Sequence, residues 1–493
     1  MSETGARWPP RLPGRPRPRP QAGLLVLLIC AALAWWAPAA AREESAPRRP
    51  NVILFLADDL GWGDLGCYGH PKFRTPNLDR MAREGARFTQ FYAACPYCAP
   101  SRAALLTGRY PFRYGFTGNP LPIADPAGRP ELDALGLPQS ERTLGDLFRS
   151  AGYRTACIGK WHLGHRPPFR PLQRGFDQYL GILYSNDMHR VELIDGDRVI
   201  EYPVVQATLT RRYTDRALSF IERHRESPFF LYFPHAMPHK PLAASEEFYK
   251  KSGDGLYGDV ISELDANVGR VLDRVRSLGL DDNTLICFTS DNGPWYGGSS
   301  GGLRGMKGVA WEGGVREPLL MRWPGKIPAG QVIADPGSLP DLFATALGAA
   351  GIEAPAGRIM DGVDLLPRLR AGSRIPERPI FITNAQGLAA VRLGRWKLLL
   401  TPPSGPAQNR VWQPDEPYRD PRAPDGVRLL APYEQAHPST YPGLRGPDPG
   451  LPPALYDLES DPTEQRNVAA DHPEIVARLR RLAERARRQR DLE

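Results

Sequence analysis

The 493-residue sequence predicts an α/β fold with a large mixed, mostly parallel sheet, helices on both faces, and a smaller C-terminal α+β domain with an antiparallel sheet. Short apolar segments of strand length alternate with segments whose apolar residues recur at helical spacing. Two of the apolar segments run directly into acidic residues. After about residue 385 the alternation stops. We therefore predict a large first domain over residues 50–385 and a second domain over residues 386–493.

The predicted elements follow one another in a regular order. "NVILFLADD" (51–59) is an apolar strand, and "TPNLDRMAREGARF" contains a short helix with Asn and Asp near its start. "RTLGDLFRSAGYRTACIGKWHLG" has the pattern of a helix, a turn, a strand and a polar loop, and "SPFFLYFPHAMPHKP" that of a strand entering a His- and Pro-rich loop. A long helix ("LYGDVISELDANVGRVLDRVRSLGL"), a strand ("NTLICFTSDNG") and a further helix ("DLFATALGAAGI") complete the alternation.

The C-terminal domain is predicted from a change in pattern. "GLAAVRLGRWKLLL" has the character of a β-hairpin, and residues 402–454 are rich in Pro, Gly and Asp, which is typical of a long loop or insertion. A basic amphipathic helix that includes "RLRRLAERARRQR" closes the chain. The domain is therefore expected to combine a small antiparallel sheet with one terminal helix.

Residues 1–41 have the pattern of a signal peptide, with five arginines, the apolar stretch "LLVLLICAALAWW" and the small residues "APAAA" before Arg42. The apolar stretch is short for a membrane span and is followed by Pro38. We therefore expect cleavage and no stable membrane association, with an uncleaved anchor as the alternative. Because no Asn-x-Ser/Thr site occurs, we expect a bacterial periplasmic or secreted protein rather than a lysosomal one.

Charge and cysteine content exclude two further classes of protein. Of the formal net charge of +8, residues 1–41 contribute +4, and the modest remainder does not favour nucleic acid as a partner. Of the six cysteines, Cys30 lies in the leader, which leaves an odd number in the rest of the chain. So few cysteines do not form a disulfide framework.

Two predicted strands end in oxygen-bearing side chains. Asp58 and Asp59 follow the first strand, and Asp291 and Asn292 follow a later one. In an open parallel sheet, ligands bind beyond the carboxyl ends of the strands. Three carboxylates at one edge would repel each other without a cation, and an all-oxygen ligand set suits Ca²⁺ or Mg²⁺ rather than Zn²⁺.

Other predicted loops bring basic side chains to the same edge. "GKWHLG" supplies Lys160 and His162, "PHAMPHKP" supplies His235 and His239, and "RGMKGVAWEGGVREP" supplies Lys307. Single lysines and histidines are usually solvated or structural. Three basic loops facing an acidic metal cluster instead indicate a pocket for a tetrahedral oxyanion.

The segment "CPYCAPSRAALLTGR" places Cys98 at the start of an apolar helix. A zinc site would need a second pair of ligands at suitable spacing, which is absent. A redox pair of Cys95 and Cys98 would need a thioredoxin-like context, and a thiolate nucleophile would be favoured by the positive helix end. The residues alone indicate only that Cys98 has a special role beside the oxyanion pocket.

"CAPSRAALLTGR" resembles the sulfatase signature Cys-x-Pro-Ser-Arg and its Leu-Thr-Gly-Arg helix. "ADDLGWGDLGCYG", "GKWHLGH", "TSDNG" and "WEGGVREP" match further motifs in the family's order, and "LYDLESDPTEQRNVA" resembles its C-terminal signature. The resemblance covers about residues 50–480 and is weakest over 402–454. It implies an alkaline-phosphatase-like fold and a sulfuric ester hydrolase of the arylsulfatase type that acts on a sulfated saccharide or an aryl sulfate.

The resemblance also implies two cofactors. A maturation enzyme would oxidise Cys98 to Cα-formylglycine, and one hydroxyl of the hydrated aldehyde would attack sulfur while the other later expels sulfate. One Ca²⁺ would be held by five residues: Asp58, Asp59, modified Cys98, Asp291 and Asn292.

Further roles follow from the same resemblance. Arg102 would steady the formylglycine, and His162 would be the base for sulfate elimination. Lys160 and Lys307 would bind the sulfate group, with Ser185 as a weaker substrate position. His239 would protonate the leaving oxygen, whereas His235 and Cys95 would have no catalytic role.

Three rival functions are less consistent with these residues. A two-metal phosphatase or phosphodiesterase would need extra Asp or His ligands where Lys160 and Lys307 stand. A non-catalytic protein that binds sulfated glycans would need neither Cys98 nor a complete ligand set. A Cys95–Cys98 oxidoreductase lacks its usual sequence context. The motifs leave the natural substrate open, and we expect specificity to come from residues 112–135, 184–210 and 402–454.

Overall fold

The computed structural model describes residues 48–490 apart from 126, 404–412, 414, 416–436, 438, 440–445 and 447. The predicted signal peptide and most of the predicted insertion lie outside the described residues. Among the helices that the structure describes, none is both long enough and apolar enough to cross a membrane.

Within the described residues, eleven strands form one large sheet and four form a second, antiparallel sheet. The strands are β1 Asn51–Ala57, β2 Ala86–Tyr92, β3 Arg154–Ile158, β4 Gln178–Gly181, β5 Leu193–Asp195, β6 Arg198–Glu201, β7 Phe229–Pro234, β8 Thr284–Ser290, β9 Arg316–Arg322, β10 Gln331–Ile333, β11 Gly337–Ser338, β12 Ile380–Asn384, β13 Gly387–Leu393, β14 Trp396–Leu399 and β15 Ala454–Asp457.

The large sheet is mixed and mostly parallel, as predicted. Its strand order is β10-β2-β9-β8-β1-β7-β3-β4-β5-β6, with β11 also paired to β2. The central strands β8, β1, β7, β3 and β4 run parallel to one another. β9 is antiparallel to both of its neighbours, and the β5–β6 hairpin is antiparallel at the other edge. The sequence motifs had not indicated these antiparallel strands.

The helices in the described part of the chain are α1 Pro76–Glu84, α2 Cys98–Thr107, α3 Pro130–Asp133, α4 Leu144–Ser150, α5 Leu209–Arg223, α6 Gly255–Ser277, α7 Glu312–Val315, α8 Leu339–Ala350, α9 Leu366–Ala371 and α10 Pro473–Arg490. Successive side chains of a strand point to opposite faces of its sheet. In β1, Val52, Leu54 and Leu56 pack into one hydrophobic cluster, whereas Ile53 and Phe55 pack into another. The two clusters explain why the central strands are apolar at every position.

The second sheet has the order β12-β13-β14-β15, and its β13–β14 pair is the predicted hairpin. Leu388 and Val391 of β13 share a hydrophobic cluster with Leu479 and Ala483 of α10. The apolar face of the terminal basic helix is therefore buried on this sheet. The sheet begins at Ile380, slightly before the domain boundary predicted from the sequence.

Candidate active site

The site lies at the carboxyl edge of the large sheet, where β1 and β8 end side by side in parallel register. This pairing places Asp58 and Asp59 beside Asp291 and Asn292, and all four side chains are buried. The backbone N–H of Asp59 donates to Asp291 Oδ1 at 3.2 Å. Asn292 Nδ2 donates to Asp59 Oδ1 at 2.8 Å. The four residues predicted to be oxygen ligands are thus neighbours.

Two residues of the site have a left-handed backbone, which is uncommon for residues other than glycine. Asp59 has a φ of 64° and His162 a φ of 58°. Such conformations persist only where the surrounding structure holds them. For Asp59 the hydrogen bond from its backbone to Asp291 supplies part of that support.

Helix α2 brings Cys98 and Arg102 to the acidic residues on one helical face. Cys98 Sγ lies 3.9 Å from Asp59 Oδ1. Arg102 Nε and Nη2 contact Asp291 Oδ2 at 2.9 and 2.8 Å, and Arg102 Nη1 donates to the carbonyl of Lys160 at 2.7 Å. The guanidinium therefore fixes the helix against the loops that follow β8 and β3.

Lys160, in the loop after β3, connects the acidic residues to a second group of polar side chains. Its Nζ donates to Asp58 Oδ2 at 2.6 Å and to Ser185 Oγ at 3.0 Å. Ser185 Oγ in turn lies 3.1 Å from His239 Nε2. The structure therefore groups three residues that the sequence assigned to sulfate binding and proton transfer.

The tautomer of His239 follows from its surroundings. Nδ1 lies 2.5 Å from the carbonyl oxygen of Lys240, which can only accept a hydrogen bond, so Nδ1 carries a hydrogen. Nε2 faces the site and lies 3.5 Å from Asp59 Oδ2. Nε2 is thus the ring nitrogen positioned to exchange a proton within the site.

Lys307 approaches from the loop between β8 and β9. Its Nζ contacts both carboxylate oxygens of Asp59, at 2.6 and 2.7 Å, and lies 3.4 Å from Cys98 Sγ. Each carboxylate of the Asp58–Asp59 pair therefore contacts one buried lysine. Lys160 contacts Asp58, and Lys307 contacts Asp59.

His162 and His235, the other two histidines of the predicted site loops, differ in their environments. His162 is fully buried, and neither ring nitrogen has a hydrogen-bond partner in the part of the chain that the structure describes. Burial, with Lys160 and Arg102 nearby, holds the pKa of His162 well below its usual value, so the ring is neutral at pH 7. His235 stacks on Phe233 with ring centroids 4.4 Å apart. This packing is consistent with the structural role expected for His235.

The carboxylates of the site differ in their ionisation. Burial opposes ionisation of Asp58, but Lys160 and the other nearby cations hold its pKa well below the usual value. Burial raises the pKa of Asp59. Burial, together with the charge of Asp58, raises the pKa of Asp291 to about 7. Three adjacent buried carboxylates therefore cannot all ionise freely without additional positive charge.

The donor groups of this cluster fit a hard cation. Ligand atoms of Asp58, Asp59, Cys98 and His239 lie within 4.8 Å of one another. Asn292 Oδ1 is buried without a hydrogen bond to any described residue, which leaves a carbonyl oxygen available. Carboxylate and amide oxygens are the ligands that Ca²⁺ and Mg²⁺ prefer.

The cysteine environments bear on the rival thiol chemistry. Burial raises the pKa of the Cys98 thiol, despite the lysines beside it, so the unmodified residue is not an activated thiolate. Cys95 is also buried with a raised pKa, and neither cysteine forms a disulfide. These observations do not favour a Cys95–Cys98 oxidoreductase.

Several polar residues that support the site are not among the residues predicted from the sequence. Asn186 Nδ2 donates to Gln206 Oε1 at 3.0 Å and to the carbonyl of His239 at 3.2 Å, which ties the His239 loop to the Ser185 segment. Lys397 Nζ lies 2.9 Å from carboxylate oxygens of both Glu312 and Glu464. Asn186 adjoins the predicted Ser185, which was a usable signal. No motif marks Gln206, and the hairpin pattern that contains Lys397 does not single out the lysine.

Comparison with known proteins identifies the relatives of this chain. The family model described as Sulfatase matches residues 50–352. N-acetylgalactosamine-6-sulfatase of Rattus norvegicus is 46% identical over 377 residues, which cover 71% of each chain. Arylsulfatase A of Homo sapiens is 36% identical over 477 residues, which cover 88% of this chain and 87% of that protein.

Solved structures agree with these sequence relatives. A sulfatase from the glycosaminoglycan locus of Bacteroides thetaiotaomicron superposes with a TM-score of 0.73 at 28% identity, and the match covers 89% of this chain and 99% of that one. Ps i-CgsB in complex with a neocarrahexaose superposes with a TM-score of 0.71 at 27% identity, covering 90% and 94%. The fold is that of the alkaline-phosphatase-like sulfatases, and the chain belongs to the sulfatase family of enzymes that hydrolyse sulfate esters.

Proposed function

We propose that this sulfatase cleaves a sulfate monoester of a saccharide, with Cys98 oxidised to Cα-formylglycine and one Ca²⁺ bound by Asp58, Asp59, Asp291 and Asn292. The observation that carries the proposal is the position of Cys98. It lies at the start of α2, buried between the acidic cluster and Lys307, with Sγ 3.4 Å from the lysine Nζ. A thiol with a raised pKa is a poor nucleophile at this position, whereas an oxidised residue would be suited to it.

The two cofactors would supply what unmodified side chains lack. Formylglycine at residue 98 would supply, as its hydrate, a hydroxyl nucleophile and a second hydroxyl for release of sulfate. Ca²⁺ held by Asp58, Asp59, Asp291 and Asn292 would supply positive charge that favours ionisation of the nucleophile and offsets the charge of the sulfate group. The donor set supports this metal, because three carboxylates and the Asn292 carbonyl, which accepts no hydrogen bond from any described residue, are all hard oxygen ligands.

The remaining residues would bind the sulfate group and move protons. Lys160 and Lys307 carry the charge to hold sulfate oxygens, and Ser185 would orient the Lys160 ammonium, whose Nζ is 3.0 Å away. Arg102 would keep residue 98 in place through its contacts with Asp291.

The two histidines would act at opposite stages of the reaction. His239 would donate a proton from Nε2 to the leaving oxygen, since Nδ1 is committed to the carbonyl of Lys240. His162 is neutral and its ring nitrogens are unpaired among the described residues, which suits it to accept a proton when sulfate leaves.

For the substrate, we propose a sulfated amino sugar. The relative of highest identity quoted above is named for N-acetylgalactosamine 6-sulfate, and the match covers 71% of this chain. The test is a panel that contains N-acetylgalactosamine 6-sulfate, its 4-sulfate isomer and nitrophenyl sulfate, with sulfate release as the readout. We expect the 6-sulfate to give the highest kcat/KM and Cys98→Ala to give none. Preference for the 4-sulfate would refute the substrate, and turnover by Cys98→Ala would refute the proposed chemistry.

We also propose that residues 1–41 direct export and are removed, and that a separate maturation enzyme oxidises Cys98. The expected exported product begins near Arg42, which N-terminal sequencing of the mature protein would check. An exported protein that retains the leader would support the uncleaved anchor instead.

A further inference from the structure

The loop that carries Lys307 is anchored at both ends by residues of the C-terminal sheet and the segment around it. We infer that Lys397 of β14 is a positioning residue for sulfate hydrolysis, which acts through Glu312 and Glu464 to hold loop 304–312 in place. The inference rests on the proposed function, in which Lys307 binds the sulfate group.

The anchor at the end of the loop is a buried group of charges. Lys397 Nζ lies 2.9 Å from Glu312 Oε1 and 2.9 Å from Glu464 Oε1, and all three side chains are buried. The second oxygen of Glu464 accepts a hydrogen bond from the backbone N–H of Glu312 at 2.6 Å. Removal of the ammonium would leave two buried carboxylates facing each other, which is strongly unfavourable.

The anchor at the start of the loop reaches the same C-terminal segment. Arg304 Nη1 donates to the carbonyl of Glu464 at 2.6 Å, and Arg304 also contacts the carbonyl of Asp448. Its guanidinium lies 3.6 Å from the ring centroid of Trp311, which packs edge-on against Tyr456 of β15. Glu464 therefore contacts both ends of the loop.

On its other side the loop packs against the start of α2. Gly308 donates its N–H to the carbonyl of Pro96 at 3.0 Å, and the hydroxyl of Tyr97 donates to the carbonyl of Gly308 at 3.2 Å. Glu312 Oε2 accepts a hydrogen bond from Tyr92 at the end of β2, at 2.6 Å. Glu312 thus connects Lys397 to the end of the loop that carries Lys307.

Within the loop, the backbone N–H of Lys307 donates to the carbonyl of Pro294 at 3.0 Å, and the N–H of Gly313 donates to the carbonyl of Arg304 at 2.7 Å. Gly305 and Gly308 have φ values of 78° and 97°, so the backbone on either side of Lys307 uses conformations that few other residues adopt. The position of the loop therefore also depends on the anchors at its two ends, and we expect it to shift when these are released. A shift of about 1 Å in a group that positions substrate can cost about 100-fold in rate.

A double-mutant cycle on the full, mature enzyme tests the inference. We expect Lys397→Met to lower kcat/KM for nitrophenyl sulfate by about 100-fold. In a Lys307→Ala background the same substitution should cost no more than about twofold, because its effect passes through Lys307. Arg322→Met is the matched control. It removes a buried guanidinium at the end of β9 that contacts Glu84 at 2.6 Å and Asp281 at 2.6 and 2.7 Å, away from the loop, so it should lower Tm and leave kcat/KM unchanged.

The possible results separate the two proposals. If the fold-decreases in kcat/KM of the two single variants multiply in the double variant, the positioning role of Lys397 is refuted. A Lys307→Ala enzyme with full activity would instead refute the proposed function of Lys307. If Lys397→Met does not fold, Arg304→Met is put through the same cycle. Non-additivity with Lys307→Ala then supports the inference, and multiplied losses contradict it.

Discussion

His239 and Lys307 both contact Asp59, yet their chemistry separates them. A lysine ammonium offsets the negative charge of the sulfate group at every stage of the reaction. A histidine that donates a proton contributes only to the extent that the leaving group needs one. The proposed pair of roles can therefore be separated by changing the leaving group.

His239→Ala should reduce hydrolysis of a saccharide sulfate by about 10²–10⁴-fold, because a sugar alkoxide leaves poorly without a proton. On nitrophenyl sulfate the loss should be much smaller, because nitrophenolate leaves without protonation. The measurement is kcat/KM for both substrates.

Lys307→Ala is the comparison, and it should reduce both reactions to a similar degree. Equal losses for His239→Ala on the two substrates would reassign His239 from proton donor to sulfate binder.

The two cysteines next to α2 should respond differently to substitution. Cys98→Ala should abolish turnover, whereas Cys95→Ala should retain it, because the hydrogen bonds between Cys95 and Ser101 use the backbone of Cys95, which alanine keeps. Sulfate release by both variants, compared at matched protein concentration and equal Tm, checks this. An inactive but folded Cys95→Ala enzyme would contradict the assignment.

At the scale of elements, the ends of adjacent strands set the geometry of the site. Gly159 follows β3 directly and precedes Lys160. A Cβ at Gly159 would lie 1.7 Å from the carbonyl oxygen of Pro234 at the end of β7, and its φ is 129°. Only glycine permits this close approach of the two strand ends.

Gly159→Ala should therefore shift the Lys160 loop and lower kcat/KM. Backbone strain alone costs about 1–3 kcal/mol, and we expect the free energy of unfolding to fall by more than this. Gly152→Ala, before β3, is the matched control. Its φ is 82° and no atom lies within 4 Å of the added Cβ, so it should lose only about 1–2 kcal/mol and keep full activity. Calorimetric Tm and kcat/KM for both variants provide the test. Equal activity losses would argue against the role given to the strand ends.

Much of the element-scale description could be predicted from sequence, because it depends on local patterns. Apolar strands that run into Asp58 or Asp291 are visible within ten residues, and the parallel pairing then places them together. The antiparallel direction of β9 carries no comparable signal, because its short apolar stretch, Pro318–Met321, would look the same in a parallel strand.

At the scale of the whole molecule, the site depends on contacts between distant parts of the chain. The bond from Lys397 to Glu312 spans 85 positions, and that from Glu312 to Glu464 spans 152. No local pattern indicates such a pair, since a buried lysine and a solvated one look alike in sequence. The support of the Lys307 loop therefore could not be predicted, although Lys307 itself could.

Metal removal should affect both activity and global stability. A cation bound only by the folded state stabilises it by about 2.7 kcal/mol when its free concentration is about 100 times Kd. Strong chelation should therefore lower Tm as well as abolish activity, and Ca²⁺ should restore both.

In Asp291→Ala, added Ca²⁺ should no longer raise Tm after chelation. This result would distinguish metal binding from a general effect of the chelator. Stoichiometric Zn²⁺ in the active enzyme would overturn the Ca²⁺ assignment and favour phosphatase-type chemistry.

The central claim is that residue 98 of the working enzyme is an aldehyde derived from cysteine. The most direct test is mass spectrometry of the peptide that contains residue 98, taken from protein whose sulfatase activity has just been measured. We predict formylglycine in a fraction of molecules that rises in proportion to specific activity across preparations. Full activity in protein whose Cys98 is entirely an unmodified thiol would contradict the account.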